Sequence, residues 1–416
     1  MASYAIKGDF IWTEEPSRFR TMRNGYLVVD NGVIESLTEE CPENYDIIDY
    51  SGHLIIPGLS DLHLHAPQYA YMGLYMDEEL LAWLEKHTFP EEAKYGNIGY
   101  AEKAYTAFVK DLLSGPTTRL SAFGTIHTDS TLLLMRLLDE AGFYGFAGKV
   151  NMDRNSPDYL SEDTDVSISE TIRFLDSAEG NIKPIITPRF IPSCSDKLLR
   201  KLGIIAKERN LPVQSHLDEN LSEVEWVKEL CPWSTSYSDA YDHFGLLGNT
   251  PTIMAHVVWP SDDEIALLSE RDVFVAHAPS SNTNLSSGIA PVRKFMKNGV
   301  KTGLATDVSG GSSLSLFRVI QDAIGVSKLR WRIKDDSDSP LTTSEAFFLA
   351  SKGGGAFFGK VGSFEAGFDA DFSVLDESLI NTPLDGLSVS ERLEMYIYRA
   401  ADKPVFAKYI KGKKVH

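Results

Sequence analysis

The stretch from Pro57 to Tyr69 reads "PGLSDLHLHAPQY" and places two histidines at the end of an apolar run. His63 and His65 are two residues apart, and alternate residues of a β-strand face the same side. Both imidazoles could therefore point to one metal ion. A strand with two ordinary histidines would look the same, so this stretch alone leaves both interpretations open.

Short apolar or β-branched runs alternate with amphipathic helical segments through the middle of the chain. The runs are "LIIPGLSDLHLH", "TRLSAFGT", "YGFAGKVNM", "KPIITPRF", "LPVQSHLDE", "PTIMAHVV", "DVFVAHAP" and "KTGLATDV". Segments such as "SDKLLRKLGIIAKERN" lie between them and have a Ser that can cap a helix and a closing Asn. This alternation predicts an α/β fold, a (β/α)8 TIM barrel. A doubly wound open sheet is the alternative, but no Gly-rich phosphate-binding motif follows the first strand.

The two chain ends read as short strands, with a hairpin signal at Asn31-Gly32. We expect them to form one small β-sandwich domain, residues 1–57 with 364–416, beside a barrel catalytic domain of residues 58–363. An insertion at about 68–110 is too long for an ordinary connection. Because it follows the carboxyl end of a strand, it should lie on the catalytic side, as a lid.

Composition excludes several classes of function. The chain has 416 residues and a net charge of −19, which disfavours binding to nucleic acids or anionic membranes. It has no apolar run long enough to span a membrane and no signal pattern at its start, so neither membrane insertion nor export is expected. Cys41, Cys194 and Cys231 are widely spaced and odd in number, which fits a reducing cytoplasm.

Polar side chains end several of the predicted strands, where barrel active sites are built. The fifth run ends in His216, the sixth in His256, the seventh in His277 and the eighth in Asp307. Together with the two histidines of the first run, His216 and Asp307 would form a shell of three nitrogens and one oxygen. That shell suits one Zn²⁺ ion per chain, with Fe²⁺ as an alternative.

A metal ion of this kind lowers the pKa of a bound water to about 7 and so provides hydroxide at neutral pH. Asp307 and His256 are candidate acceptors for the water's proton. Glu219 lies three residues after His216 and could carry protons without being a ligand. It could instead be a charge in the first helical turn of "HLDENLSEVE", although Asp218 or Asn220 could serve there.

The chain resembles the amidohydrolase superfamily in "PGLSDLHLH", "QSHLDEN", "MAHVV", "GLATDVSGG" and "GFDADFSVLD", which occur in the expected order over nearly the whole chain. Within that superfamily it resembles the guanine deaminase family in "HAPQYA", "LLAWLEKHTFPEEAKY", "TIHTDSTLLL", "GKVNMD" and "TPRFIPSCS". The resemblance implies a distorted barrel with a small sheet domain, a homodimer, and hydrolysis of guanine to xanthine and ammonia by a metal-bound hydroxide.

The resemblance also implies roles for individual residues. It makes His63, His65, His216 and Asp307 the zinc ligands, with His216 also beside the substrate. His256 would hold the water and Glu219 would deliver a proton to ring N3. Gln68 and Arg189 would hydrogen-bond the purine, with Arg189 near the 6-oxo group, and Phe190 would pack against the ring. A Gln in a turn, a surface Arg and a core Phe are the alternatives for these three.

Other residues stay outside the predicted chemistry. Many members of the superfamily bridge two metals through a strand lysine, but we interpret Lys149 as structural or substrate-side and predict a single metal. His127 and Asp129 could line the site or open a helix, with Asp129-Ser130 resembling a cap, and His277 could support a ligand. Two further functions remain open at this point: an aminohydrolase for another purine, a pterin or a triazine, and an inactive barrel that serves as a binding partner.

Overall fold

The computed structural model describes residues 3–416. In this part of the chain the strands are β1 (Tyr4–Trp12), β2 (Arg20–Asp30), β3 (Val33–Thr38), β4 (Asp46–Pro57), β5 (Leu59–His65), β6 (Thr117–Phe123), β7 (Tyr144–Gly148), β8 (Val150–Asn151), β9 (Ile182–Pro184), β10 (Thr187–Pro188), β11 (Val213–Leu217), β12 (Thr252–His256), β13 (Phe274–His277), β14 (Lys301–Leu304), β15 (Phe372–Leu375), β16 (Ala407–Ile410) and β17 (Lys413–Lys414).

The α-helices are α1 (Leu80–Trp83), α2 (Phe89–Ala93), α3 (Ile98–Ser114), α4 (Thr128–Glu140), α5 (Thr164–Ser177), α6 (Asp196–Arg209), α7 (Leu221–Leu230), α8 (Tyr237–His243), α9 (Asp262–Glu270), α10 (Pro279–Asn284), α11 (Val292–Lys297), α12 (Leu316–Ile333), α13 (Thr343–Phe348) and α14 (Val389–Arg399). Short π-helical turns follow α1 at Leu84–Thr88 and α13 at Leu349–Gly353. Among residues 3–416, none of these helices has the length and apolar character that a membrane crossing requires.

One seven-stranded sheet joins the two ends of the chain, in the order β17-β16-β15-β4-β1-β2-β3. Its strands are mixed in direction, because β1 is antiparallel to β2 but parallel to β4. The predicted hairpin signal lies between the antiparallel strands β2 and β3, where Asn31 (φ 49°) and Gly32 (φ 85°) both adopt positive φ. Both chain ends therefore contribute strands to a single sheet.

Two four-stranded parallel sheets form the middle of the chain, in the orders β5-β6-β7-β9 and β11-β12-β13-β14. Every position of β5, β6, β11, β12 and β13 is buried, as expected for strands of parallel sheets that are covered on both faces. Helices follow the strands in alternation, so the fold is α/β as predicted. The short pair β8 and β10 forms a further parallel ladder.

The first predicted run is divided between two sheets. Its first part belongs to β4, which pairs with β15 in the terminal sheet, and its second part is β5. The chain passes between them at Gly58, where an added Cβ would lie 2.1 Å from Oγ1 of Thr118. This close approach requires glycine and explains the "PGLSD" break, which the apolar pattern alone concealed.

The two parallel sheets also contact each other. A parallel bridge joins Ile186 to Val213 at one side. At the other side the amide of Asp307 donates to the carbonyl of His63 over 2.9 Å, and the amide of His65 donates to the carbonyl of Val308 over 2.9 Å. These bonds bring the carboxyl end of β5 beside the segment that follows β14.

An ion pair attaches the terminal sheet to the middle of the chain. Arg119 on β6 is 4% exposed, and its Nε lies 2.6 Å from a carboxylate oxygen of Asp371 while its Nη2 lies 2.8 Å from Asp369. Lys408 on β16 is fully buried and donates from Nζ to the carbonyl of Leu112 over 2.8 Å. Buried polar contacts of this kind fix the sheet against α3 and β6.

Candidate active site

The predicted metal ligands meet at the carboxyl ends of the parallel strands. Nε2 of His63 lies 3.1 Å from Oδ1 of Asp307, and Nε2 of His65 lies 3.6 Å from the same oxygen. Nε2 of His216 lies 3.0 Å from Nε2 of His65. The four side chains come from three distant parts of the sequence, so their convergence is a property of the fold.

The surroundings of the histidines set which ring nitrogen is free. Nδ1 of His216 lies 2.6 Å from the main-chain carbonyl oxygen of Arg189, which can only accept, so Nδ1 carries the proton and Nε2 presents a lone pair. Both ring nitrogens of His63 are buried and make no hydrogen bond of normal geometry within residues 3–416, although Oδ1 of Asp307 lies 3.1 Å from Nε2. A buried imidazole without a partner is costly, and a metal ion would satisfy it.

Burial also sets the protonation states that a metal requires. Burial, followed by the neighbouring imidazoles, holds the pKa of His65 and of His216 well below its usual value. Burial opposes ionisation of Asp307, but His63 and the other histidines outweigh it and hold the pKa of Asp307 well below its usual value. Neutral imidazoles and an ionised carboxylate are the forms that bind metal. The residues present therefore fit a His/His/Asp metal site.

His256 lies beside this group. Nδ1 of His256 is 2.8 Å from Oδ1 of Asn282, its Nε2 is 3.8 Å from Oδ2 of Asp307, and burial lowers its pKa to about 4. The backbone at His256 (φ 75°) and at Asp307 (φ 46°) is left-handed, which is uncommon for residues other than glycine. Such strained positions cluster at active sites, where the surrounding structure holds them in place.

Glu219 is free of helix capping. Asn220 is the N-cap of α7 and forms a capping box with Glu223, so Glu219 is not needed there. Glu219 is buried, and its Oε2 lies 3.4 Å from Nε2 of His256. Burial, followed by the charges of Glu223 and Asp307, raises the pKa of Glu219 well above its usual value. A buried carboxyl group next to the predicted metal ligands is well placed to transfer protons.

A cavity opens over the predicted metal ligands and is lined by the residues predicted to hold substrate. It is lined by His65, Gln68, Leu80, Trp83, Leu84, Arg189, Phe190, His216, Glu219, His256, Leu285 and Asp307. Gln68 and Arg189 are 1% and 2% exposed, so neither is a surface residue. The predicted insertion contributes Leu80, Trp83 and Leu84 and therefore forms one wall of the cavity.

Two residues near the site were missed by the sequence interpretation. Glu92 in the insertion contacts both Gln68 and Arg189, although its "PEEAK" context is typical of a solvated helix. Asn282 holds His256, and it lies in the polar stretch "APSSNTN", whose spacing gives no sign of this contact. Only the tertiary fold reveals either role.

Other polar residues singled out in the sequence lie away from the cavity. Lys149 is buried, and its Nζ lies 2.8 Å from Oε2 of Glu162 and points to no metal ligand. His277 is buried, but the cavity lining does not include it. The prediction that Asp129-Ser130 caps a helix is wrong, because the N-cap position of α4 is His127. Asp129 lies in the first turn of α4 and forms an ion pair with Arg173.

Comparison with known proteins agrees with this geometry. The amidohydrolase family model matches residues 54–415. A guanine deaminase of Dictyostelium discoideum is 41% identical over 99% of this chain and 97% of that protein, and one of Rattus norvegicus is 39% identical over 99% and 96%. The crystal structure of a guanine deaminase from C. acetobutylicum with bound guanine superposes with a TM-score of 0.97, at 44% identity over 100% of both chains. The chain belongs to the amidohydrolase family and, within that family, to the guanine deaminases.

Proposed function

We propose that this chain hydrolyses guanine to xanthine and ammonia in the cavity above the predicted metal ligands. The family membership supports this reaction over the full length of the chain. The observation that carries the proposal is the meeting, in one buried cavity, of metal-binding donors, a buried Glu and two side chains that can read a purine edge. Each of the three is needed for deamination, and an inactive scaffold has no need of the complete set.

Gln68, Arg189 and Phe190 hold the purine in this proposal. A Gln amide offers both a donor and an acceptor to a ring edge, and an Arg guanidinium offers fixed donors to the 6-oxo group. Adenine would present an amino group there, which places a donor against a donor and is rejected. Phe190 is 6% exposed and lines the cavity, where its ring can pack against the base.

His63, His65, His216 and Asp307 would hold one divalent ion, Zn²⁺ or alternatively Fe²⁺. That ion supplies the Lewis acidity that makes a water molecule nucleophilic at neutral pH. His256 and Asp307 border the same position and can orient the water and accept a hydrogen bond from it. His216, which lines the cavity, also limits where the ring can lie.

Glu219 moves the protons. It gives a proton to N3 as the water oxygen adds to C2, and the resulting carboxylate accepts the proton that the water releases. A second transfer from Glu219 to the exocyclic nitrogen allows the C2–N bond to break and ammonia to leave. The remaining hydroxyl proton then passes from the C2 oxygen to the Glu219 carboxylate as the C2 carbonyl forms, which restores the protonated Glu219. Its distance of 3.4 Å from Nε2 of His256 supports a position between the water and the ring.

The proposal extends to the architecture that carries the site. The two four-stranded sheets would be the halves of one distorted (β/α)8 barrel within residues 58–363, and the terminal sheet would be the core of a small β-sandwich domain made of residues 1–57 and 364–416. The bridge between Ile186 and Val213 supports closure on one side of the barrel. A homodimer is the assembly that we propose from the family resemblance.

The experiment that tests this function is a substrate panel with purified protein. Guanine should yield xanthine and ammonia in equal amounts, whereas adenine, cytosine, a pterin and a triazine should be turned over far more slowly. Efficient turnover of one of the others with none of guanine would overturn the assignment.

A further inference from the structure

Glu92 is a buried carboxylate that divides its two oxygens between two residues of the proposed purine site. It lies on α2 within the insertion and is 1% exposed. Its Oε1 accepts a hydrogen bond from Nε2 of Gln68 over 2.9 Å, and its Oε2 accepts one from Nη1 of Arg189 over 2.6 Å. The side chain therefore joins two groups that are far apart in the sequence.

The contact with Glu92 fixes which way the amide of Gln68 points. An ionised carboxylate can only accept, so it selects the amide nitrogen as its neighbour. On the other side, the main-chain amide of Ser309 donates to Oε1 of Gln68 over 3.2 Å. Two independent neighbours thus impose the same orientation. One N–H and one lone pair of the amide remain for a ligand, at defined positions.

The guanidinium of Arg189 is held by the same helix. Besides the bond to Glu92, its Cζ lies 5.3 Å from the centre of the Phe89 ring, and the side chain is almost completely buried. A planar guanidinium held by a carboxylate and an aromatic face keeps its remaining donors in one direction. Arg189 lines the cavity, so these donors are available to a bound ring.

We propose that Glu92 is a positioning residue that sets the donor and acceptor pattern of Gln68 and Arg189, an inference that rests on the proposed function. Since Glu92 belongs to the insertion, the insertion builds the purine-recognition edge as well as one wall of the cavity. Discrimination in favour of a 6-oxo purine then depends on a residue that does not itself line the cavity.

The test compares Glu92→Gln with Glu91→Gln as a matched control. Glu91 is the preceding residue of the same helix and is also buried, but it pairs with Lys94 over 2.6 Å and contacts neither Gln68 nor Arg189. Both substitutions remove one charge from α2. A Gln at position 92 could present either its oxygen or its nitrogen, so it would no longer select one orientation of the neighbouring amide.

Guanine and 2-aminopurine, which lacks the 6-oxo group and the N1 proton, are the two probes, with 2-aminopurine used as substrate or as competing ligand. For Glu92→Gln we expect the preference for guanine to fall by about tenfold or more, which is the loss of roughly one charge-assisted hydrogen bond. Glu91→Gln should keep that preference within about threefold, a change comparable to surface substitutions. The ratio between the two probes is independent of the fraction of folded protein.

Glu92→Asp serves as a second variant, because it keeps the charge but is one carbon shorter and should lose less of the preference than Glu92→Gln. The positioning role would be overturned if both variants preferred guanine over 2-aminopurine as strongly as the unsubstituted protein does, or if activity or binding fell equally for both probes. In either case, guanine turnover by the unsubstituted protein would still support the proposed function. Unfolding of both variants would also overturn it, since Glu92 would then be required for folding and not for recognition. Absence of guanine turnover in the unsubstituted protein would instead reject the proposed function.

Discussion

Arg189 and His216 are joined by a hydrogen bond in which Nδ1 of His216 donates to the main-chain carbonyl oxygen of Arg189 over 2.6 Å. Arg189 therefore contacts the group of predicted metal ligands through its backbone and forms part of the proposed purine-binding edge with its side chain. The two halves of the site are coupled at one residue, but through different atoms. Substitutions of the Arg189 side chain should consequently affect purine binding without affecting the metal ligands.

Arg189→Lys should lower kcat/KM for guanine about 10- to 100-fold, because a lysine cannot present planar donors to both Glu92 and the 6-oxo group. The backbone carbonyl is unchanged, so the metal content should equal that of the unsubstituted protein. Steady-state kinetics and elemental analysis measure the two effects. Arg200→Lys, an exposed position, is the control, and loss of metal in Arg189→Lys would disprove the separation.

Glu219→Gln should keep the metal and lower kcat by about 10²- to 10⁴-fold, the range for removal of a general acid–base group. The amide has a similar shape but cannot exchange the proton that the ring and the leaving amine require. Turnover and metal content of the purified variant provide the measurement. Glu225→Gln changes an exposed glutamate on α7 and should be fully active. Full activity of Glu219→Gln would refute the proposed proton path.

Asn282→Ala should lower activity about 10- to 100-fold without loss of metal, as is typical when the hydrogen-bond partner of an active-site histidine is removed. Asn282 holds Nδ1 of His256 over 2.8 Å and has no other assigned part in the reaction. Asn282→Asp keeps an acceptor at this position and should recover part of the rate. If the Ala and Asp variants were equally impaired, the orienting role would be rejected in favour of a packing role.

Lys408→Met should raise the melting temperature near pH 7. Burial holds the pKa of Lys408 well below its usual value, so over the pH range between the folded and unfolded pKa the unfolded chain binds more protons. Stability of the unsubstituted protein therefore increases as pH rises through this range, and Met removes that dependence. Its advantage should shrink as pH approaches 10.

Thermal unfolding measured from pH 6 to pH 10 checks this, with Lys413→Met as the control at an exposed position of the same segment. The carbonyl of Leu112 keeps a hydrogen bond from the amide of Gly115, so the substitution leaves no orphaned acceptor. A lower melting temperature at every pH would show that the contact of Lys408 with Leu112 outweighs its burial.

The sequence predicted those parts of the fold and site that depend on local pattern. Alternating strands and helices predicted the α/β middle, and histidines at strand ends predicted the metal group, because parallel strands bring their carboxyl ends to the same edge. The guanine family was also identified from motifs. The break at Gly58 was not predicted, since an apolar run looks the same when it passes from one sheet to another.

Residues that act through a neighbour were also beyond the sequence. Glu92 occurs in a charged helical segment, and such residues are usually solvated. Its burial depends on how the insertion docks on the strands, which no local pattern encodes. Asp129 illustrates the reverse error: its side chain is of a type that often caps helices, but α4 begins at Thr128 and has His127 as its N-cap, so the predicted cap was two residues late.

Removal and return of the metal test the central claim most directly. The account predicts that chelated protein forms no xanthine from guanine and that activity rises with added Zn²⁺ until one ion is bound per chain. His63→Ala should neither bind the ion stoichiometrically nor recover activity, whereas His243→Ala, at an exposed position, should do both. Xanthine formation at the full rate by protein shown to be free of metal would contradict the account.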